Sequence, residues 1–255
     1  EIIWPLLDHN DCAAAITALV AETVGGRLPP ACMDALKATR CLPTLKAADP
    51  SAGIRPIHMP EAFYKLAGAL PIQSAIVTKA VGRVFSSGIQ LGLGGKGSGA
   101  DVAVQIVQSA LECCPDSAVL SLDIRNAFNT RRRSDIARIL YGHRDLSPIW
   151  PLFQAMYDRP ITSLLYDSAG RLAHRFQVEE GVLQGDAMSQ LTFDMSMEEA
   201  YQKVEARAAP EAAVAVHDDF TIVGKVGSIA TAIHTFNSEC ARLGLQLSIP
   251  KCRVL

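Results

Sequence analysis

Three aspartates carry the chemistry this chain has to offer. One closes a short apolar run, Ala118-Val119-Leu120-Ser121-Leu122-Asp123, and two stand side by side in Ala215-Val216-His217-Asp218-Asp219. A carboxylate at the end of a strand has a fixed backbone and an accessible side chain, a good mount for a hard cation. Magnesium takes oxygen ligands, usually one or two carboxylates together with substrate phosphates. Two such ions roughly 3.5–4 Å apart clamp the attacking and leaving oxygens of a phosphoryl transfer. A pair of acids from a turn and one from a neighbouring strand would supply that arrangement. Taken singly, each also has a plain structural role: Asp218-Asp219 as turn residues and Asp123 as a helix cap.

The elements that must position these acids follow from periodicity and breakers. Asn10 opens a helix through about Val24, stopped by Gly25-Gly26, and Pro29-Pro30 opens another through about Cys41. Leu42–Lys46 and Ile54–His58 read as strands around the turn Ala48 to Gly53. A helix runs from Glu61 and is broken or kinked at Pro71, and Ser98–Leu111 is helical with Val102, Ile106 and Ala110 on one face. Ala118–Leu122 makes a buried strand. Leu164–Tyr166 and His174–Val178 form a hairpin over Asp167 to Gly170, and Val214–Val216 and Phe220–Val223 form a second over His217-Asp218-Asp219. Further helices cover 134–141, 187–208 and 228–243. Hairpins mixed with helices, without strict βαβα alternation, point to the α+β class.

Composition narrows the rest. With 49% hydrophobic and 20% charged residues in 255, the chain can build a sizeable core. Its longest charge-free stretches, such as Leu66 to Thr78 with Pro71 and Gln73, fall short of a membrane span of roughly 20 residues, so no membrane is expected. Seven scattered cysteines without a CxxC pair speak against a disulfide framework or zinc site, and imply a reducing, intracellular setting. The net charge of −2 leaves no basic half; only Arg131-Arg132-Arg133 is densely basic, and it reads as a solvated helix start or, less plainly, as a contact to a nucleic-acid backbone. Nucleic-acid binding therefore finds no support in bulk charge and has to come from a site. A chain that opens on Glu1 without a leader reads as a fragment.

Longer segments around the acids change the odds. Asp123-Ile124-Arg125-Asn126-Ala127-Phe128, then Glu180-Gly181-Val182-Leu183-Gln184-Gly185-Asp186-Ala187-Met188-Ser189, then Ala215 to Asp219, resemble motifs A, B and C of reverse transcriptases in order and spacing. The likeness is closest to the non-LTR retrotransposon type. Lys46 with Arg55-Pro56-Ile57 resembles the fingers motif. Gln90-Leu91-Gly92 with Gly97-Ser98-Gly99-Ala100-Asp101 resembles a segment opening a palm helix, and Leu243 to Leu247 with Lys251-Cys252 resembles motif D.

The resemblance implies the fingers and palm of a right-handed polymerase, with a palm sheet of ferredoxin-like type. Fingers would occupy 1–88 and 130–180 and palm 89–129 and 181–255, with the thumb absent and left to a missing C-terminal part. It implies RNA-directed DNA polymerase activity in which Asp123, Asp218 and Asp219 hold two magnesium ions (manganese is an alternative). It implies that Lys46 and Arg55 hold the triphosphate, for which a guanidinium is suited. Phe128 would lie under the sugar, Gln184 and Gly185 would border the incoming nucleotide and template, and Lys251 would protonate pyrophosphate. Phe128 as a core ring and Lys251 as a solvated lysine are the plainer roles. Partners are an RNA template, a DNA primer and dNTPs, and the family setting is the nucleus. Val216 replaces the family's usual Tyr, Ala187 and Gln190 replace prolines, and Leu93 stands where Phe is usual. His217 is expected to pack or face solvent, not to bind metal.

Competing readings remain open at this level. A palm that binds nucleic acid without polymerising is one. An RNA-dependent RNA polymerase is a second, though it wants an acid where Phe128 stands and a different motif B. Gly92-Leu93-Gly94-Gly95-Lys96-Gly97 is a literal GxGxxG, the mark of a dinucleotide-binding oxidoreductase. Its preceding strand is interrupted by Ser86-Ser87-Gly88, and that fold would leave Gln184 to Ser189 and the acid hairpin without a purpose.

Overall fold

The computed structural model describes residue 5 and residues 8–46, 53–93 and 99–255. The Ala48 to Ala52 part of the expected turn, the Gly94 to Ser98 part of the glycine segment, and Glu1 lie outside the described residues. The chain divides into two compact units, one comprising Glu1–Ala80 and Leu140–Ser189, the other Val81–Ile139 and Gln190–Leu255.

In the first unit, α1 (Asn10–Val24) ends where expected, with Gly26 taking a φ of 63°. Helix α2 (Pro30–Lys37) stops short of Cys41, and β1 (Thr39–Leu45) begins three residues earlier than expected. Sheet pairing overrides the local helix signal there: Thr39 and Arg40 pair antiparallel with Pro60 and Met59 of β2 (Ile54–Pro60), and parallel with Ser163 and Leu164 of β4 (Ile161–Tyr166). With β5 (Leu172–Val178) these strands form a sheet in the order β2-β1-β4-β5. Pro43 and Pro56 face each other across β1 and β2, beyond the stretch of β1 that pairs with β4, where a missing N–H breaks no second ladder. Helix α3 (Ala62–Gln73) runs through Pro71 and breaks one turn later, at Ser74. There the Ser74 hydroxyl donates to the Pro71 carbonyl (2.6 Å) and accepts from the Val77 N–H (3.3 Å), opening α4 (Ala75–Val84).

In the second unit, α5 (Gly99–Cys113) leads to β3 (Ala118–Leu122), which matches the expected span. A short helix α6 (Ala127–Thr130) and α7 (Arg133–Gly142) follow. The 3-10 turn Arg144–Ile149 and α8 (Trp150–Tyr157), back in the first unit, fall where the sequence raised no expectation of an element. Pro151 sits in the first turn of α8, where a proline costs no helical bond. Helix α9 (Ser189–Ala208) leads into the hairpin of β6 (Ala212–Val216) and β7 (Asp219–Gly224). Helix α10 (Val226–Arg242) then precedes the two-residue β8 (Arg253–Val254). The sheet order is β6-β7-β3-β8, every pair antiparallel. Its chain order is strand–helix–strand–strand–helix–strand, which puts the two central strands, β3 and β7, side by side.

Among the described residues no helix is long and apolar enough to cross a membrane. Helix α9 is buried on all sides from Leu191 to Glu198 although Asp194, Ser196 and Glu198 are polar, so its environment could not be read from hydrophobic periodicity. The Arg131 to Arg133 run corrects another expectation. Arg131 is wholly buried, neither solvated nor open to a nucleic acid: it donates to Ser196 Oγ (3.1 Å), the Leu243 carbonyl (3.2 Å) and Asp135 (3.0 Å). One guanidinium thus ties the β3–α7 connection to α9 and to the end of α10. Because removing one partner of a buried charged network strands the others, Arg131→Ala is expected to lower unfolding free energy by about 3 kcal/mol. Urea denaturation of both proteins checks this, and a loss under about 1 kcal/mol would mean the network contributes no more than a surface pair.

Candidate functional site

The second unit gathers the three aspartates through its sheet register. Strands β3 and β7 pair from Ala118↔Gly224 to Leu122↔Phe220, so the next residues in the ladder are Asp123 and Asp219. The Asp123 backbone is fixed in turn, its carbonyl accepting the Ser248 N–H (2.8 Å). Residues His217 and Asp218 form the two-residue loop between Val216 and Asp219, which pair with each other. Burial raises the Asp218 carboxyl above its ordinary range, and the charges of Asp219 and Asp123 push it further the same way. Like charges this close oppose one another's ionisation.

Asp123 already holds a cation of the chain's own. Lys251, at the end of the 3-10 turn Ile249–Lys251, lies 3.0 and 3.3 Å from the two Asp123 carboxylate oxygens. Among the described residues, no group of three or more His, Cys, Asp or Glu side chains stands assembled to hold a metal ion. The carboxylates stand at one end of the sheet, with Asp123 turned to an ammonium.

The loop residue His217 has a φ of 56°, a left-handed conformation that costs a non-glycine residue roughly 1–3 kcal/mol and persists only where surroundings enforce it. Its ring packs, as expected, and also does more. Nδ1 lies 2.9 Å from Oδ2 of Asp194, a fully buried acid on α9. Burial pushes the Asp194 carboxyl up to about 6, and its hydrogen bond to Asp194 holds the His217 imidazole above its usual value. Sequence reasoning gave Asp194 no role, since an acid inside a helical stretch looks like any solvated one until its partner is known. Phe128, on α6 just past Asp123, stacks on Phe193 with ring centroids 4.3 Å apart and meets the His217 ring edgewise. At 9% exposure it is largely a core ring.

The first unit holds the remaining expected residues. Lys46 is exposed at the end of the β1–β2 hairpin, its N–H donating to the Gly53 carbonyl (3.0 Å), and Arg55 is exposed on β2 opposite Thr44. Gln184 and Gly185 are docked on β2 by backbone. The His58 N–H donates to the Gln184 carbonyl (2.7 Å), and Gly185 takes a φ of 105° with the place of a Cβ only 2.3 Å from the His58 oxygen. No side chain fits there. Asp186 is buried and accepts a 2.6 Å hydrogen bond from the Tyr157 hydroxyl, which itself accepts the Leu183 N–H (3.3 Å). The loop before α9 is thereby pinned on both sides of Gln184. The Asp186 side chain is thus a buried anchor, whereas at the helix start its carbonyl accepts the Ser189 N–H and hydroxyl.

Comparison with known proteins sets this geometry in context. No family model matches the chain. It is 25% identical over 256 residues to the retrotransposable element SLACS 132 kDa protein of Trypanosoma brucei gambiense, a match that covers all of this chain and 21% of that protein. Among solved structures it resembles telomerase from Candida albicans in complex with a fragment of telomeric RNA (TM-score 0.62, 13% identity, 89% of this chain and 43% of that one). Apo telomerase from Candida tropicalis is similar (TM-score 0.61, 11% identity, 86% and 44%). The chain thus spans about a fifth of the retroelement protein and under half of these telomerase chains. Sequence likeness along this chain to one fifth of a retrotransposable-element protein, and a mixed α+β fold shared with telomerase, support a reverse-transcriptase-like domain.

Asp186 yields a test of the pinned loop. Burial lifts its carboxyl from the usual value to about 6, so the folded state binds this proton more tightly than the unfolded chain does. Its charge therefore costs stability as pH rises from about 4 through 6. Asp186→Asn, neutral throughout, is expected to gain on wild type over that interval by about 2 kcal/mol, read from urea midpoints at pH 4 and 7. A difference that is flat or shrinks with pH would show the carboxyl is not buried as described.

Proposed function

We propose that this chain adds deoxynucleotides to a primer 3′ end on a nucleic-acid template, RNA in the first instance, as the fingers and palm of a retroelement reverse transcriptase. The observation carrying this reading is the position of Asp218: on the β6–β7 turn, raised in part by the Asp219 and Asp123 carboxylates, with Asp123 closing the adjacent central strand. The sheet of the second unit, with its β-α-β-β-α-β order, serves as a palm of ferredoxin-like type. The first unit serves as fingers.

The donor chemistry suits magnesium: the oxygens are hard carboxylates, Asp219 and Asp123 raise the affinity of Asp218 for positive charge, and Asp123 holds the Lys251 ammonium. Asp123, Asp218 and Asp219 would hold the ions, which when bound lower the cost of ionising the primer 3′-hydroxyl and of charge on departing pyrophosphate. Manganese suits the same oxygens.

The chain's own residues do the rest. In the first unit, Lys46 and Arg55 bind the triphosphate, Arg55 by a two-pronged guanidinium contact. Gln184 and Gly185, held on the β2 backbone at His58, border base and template, where the bare Gly185 backbone permits close approach. In the second unit Phe128 carries the sugar and excludes a 2′-hydroxyl by contact. Lys251 gives the proton on its Nζ to pyrophosphate as that group leaves. The partners are an RNA template, a DNA primer and dNTPs, and the setting is intracellular, in the nucleus.

Extension of a DNA primer on an RNA template with labelled dNTPs tests the reading. Asp218→Asn is expected to reduce magnesium-dependent incorporation by at least about 100-fold, the scale of several kcal/mol of charge stabilisation. Equal incorporation by both proteins would refute it. Template binding without incorporation by wild type would favour a nucleic-acid-binding palm that does not polymerise. Phe128→Ala is expected to lower discrimination against ribonucleotides roughly 10-fold, the scale of one lost packing contact, measured as the ratio of kcat/KM for dNTP and rNTP. An unchanged ratio would assign the ring to the core alone.

A further inference from the structure

The turn that carries Asp218 is held from outside itself, by side chains for which neither the fold nor the proposed chemistry has so far needed a role. The segment before α5 runs beside β6: the Ala215 N–H donates to the Ile89 carbonyl and the Leu91 N–H to the Ala215 carbonyl, both at 2.8 Å. This pairing sets Gln90 parallel to Ala215 and buries it, at 6% exposure, against the β6–β7 turn.

From there the Gln90 amide reaches both backbone polar groups of His217. Its oxygen accepts the His217 N–H (3.0 Å) and the Gly92 N–H (2.8 Å), and its NH₂ donates to the His217 carbonyl (3.1 Å). The same carbonyl accepts the hydroxyl of Tyr201, a fully buried residue on α9, at 2.7 Å. Gly92 leaves room for the ring: a Cβ there would stand 2.6 Å from His217 Nδ1 and 2.9 Å from the Gln90 oxygen. Backbone N–H, backbone C=O and imidazole of one left-handed residue are thus each engaged by a group outside the hairpin. Only a primary amide offers donor and acceptor at that reach; a glutamate at 90 could accept but not donate, and a methionine could do neither.

We propose that Gln90, together with Tyr201, is a positioning clamp that holds His217 in its left-handed conformation and so fixes the direction in which Asp218 presents its carboxylate beside Asp219 and Asp123. The clamp acts through the backbone and touches no reacting atom. Its consequence for catalysis rests on the polymerase reading above; its consequence for the turn does not.

The experiment compares wild type with Gln90→Met and Tyr201→Phe, and uses Gln105→Met, at an exposed position of α5, as control. Hydrogen exchange of the peptide spanning residues 215–220 reads the turn, electron paramagnetic resonance of titrated Mn²⁺ reads the carboxylates, and the metal concentration for half-maximal dNTP incorporation reads function. Gln90→Met is expected to speed exchange in that peptide roughly 10-fold and weaken Mn²⁺ binding about 5-fold, the scale of one or two lost hydrogen bonds. Exchange of Ala118–Leu122 stays unchanged, and the metal requirement rises more than kcat at saturating metal falls. Tyr201→Phe shifts the same readouts in the same direction by a smaller factor, and decides the matter should Gln90→Met fail to fold. Wild-type exchange and Mn²⁺ affinity in the variants would overturn the clamp, as would a loosened turn with unaltered Mn²⁺ affinity. A wild type that binds Mn²⁺ but incorporates nothing would refute the polymerase reading, while the exchange and Mn²⁺ measurements still decide the role of Gln90.

Discussion

Charge repulsion among carboxylates is the constraint around which the second unit is organised. Asp218 is partly buried and shares its surroundings with Asp219 and Asp123, an arrangement that folding alone would avoid, because like charges in a poorly solvated place resist ionisation. The backbone imposes it. The β3–β7 ladder brings the ends of two strands together, and hydrogen bonds from the Ser248 N–H to the Asp123 carbonyl and from the Arg125 N–H to the Gln246 carbonyl fix the chain just past β3. The left-handed residue at position 217 delivers the third acid. Lys251 offsets part of the resulting charge from within the chain. A protein keeps so costly an arrangement where it does work, and strained backbone beside clustered acids is the kind of feature that accompanies function.

The first unit solves a different problem, the close approach of a loop to a strand. Gln184 and Gly185 lie on the β2 backbone at His58, and the loop is fixed by a buried carboxyl–phenol contact from Asp186 to Tyr157. No side chain at 185 is compatible with that approach, which explains a glycine there more directly than turn propensity does.

Much of this was legible in the residues. Ala118–Leu122, the acid hairpin, and the first helix were visible because each has a short, strong local signal: an apolar run closed by an acid, apolar stretches around Asp-Asp, a Gly-Gly stop. Strand extents were less so. Thr39 to Cys41 continue a helical pattern locally, and only their pairing with β2 and β4 makes them strand. Prolines located elements only loosely: Pro71 is accommodated within a helix that breaks at Ser74, and Pro151 begins a helix where none was expected. Long-range partners were invisible. Arg131 read as one of three surface cations, yet it is buried by contacts to residues 65 and 112 positions away. Asp194 carries no local mark that separates it from a solvated acid, and Gln90 could be seen only as part of a family-like segment, not as a ligand of the His217 backbone. What a sequence hides is less the element than the side chain whose partner lies far along the chain.

The central claim is that Asp123 and the Asp218-Asp219 pair form one cation site. Ferrous iron substituting for magnesium tests it directly, because with ascorbate and peroxide it generates radicals that cut the backbone beside the ion. Mass spectrometry of the fragments is expected to find cuts near residue 123 and near residues 217–219 together, both suppressed by excess magnesium and both lost in Asp218→Asn. Cleavage at one location without the other, or cuts at 123 that persist in the variant, would contradict a shared site.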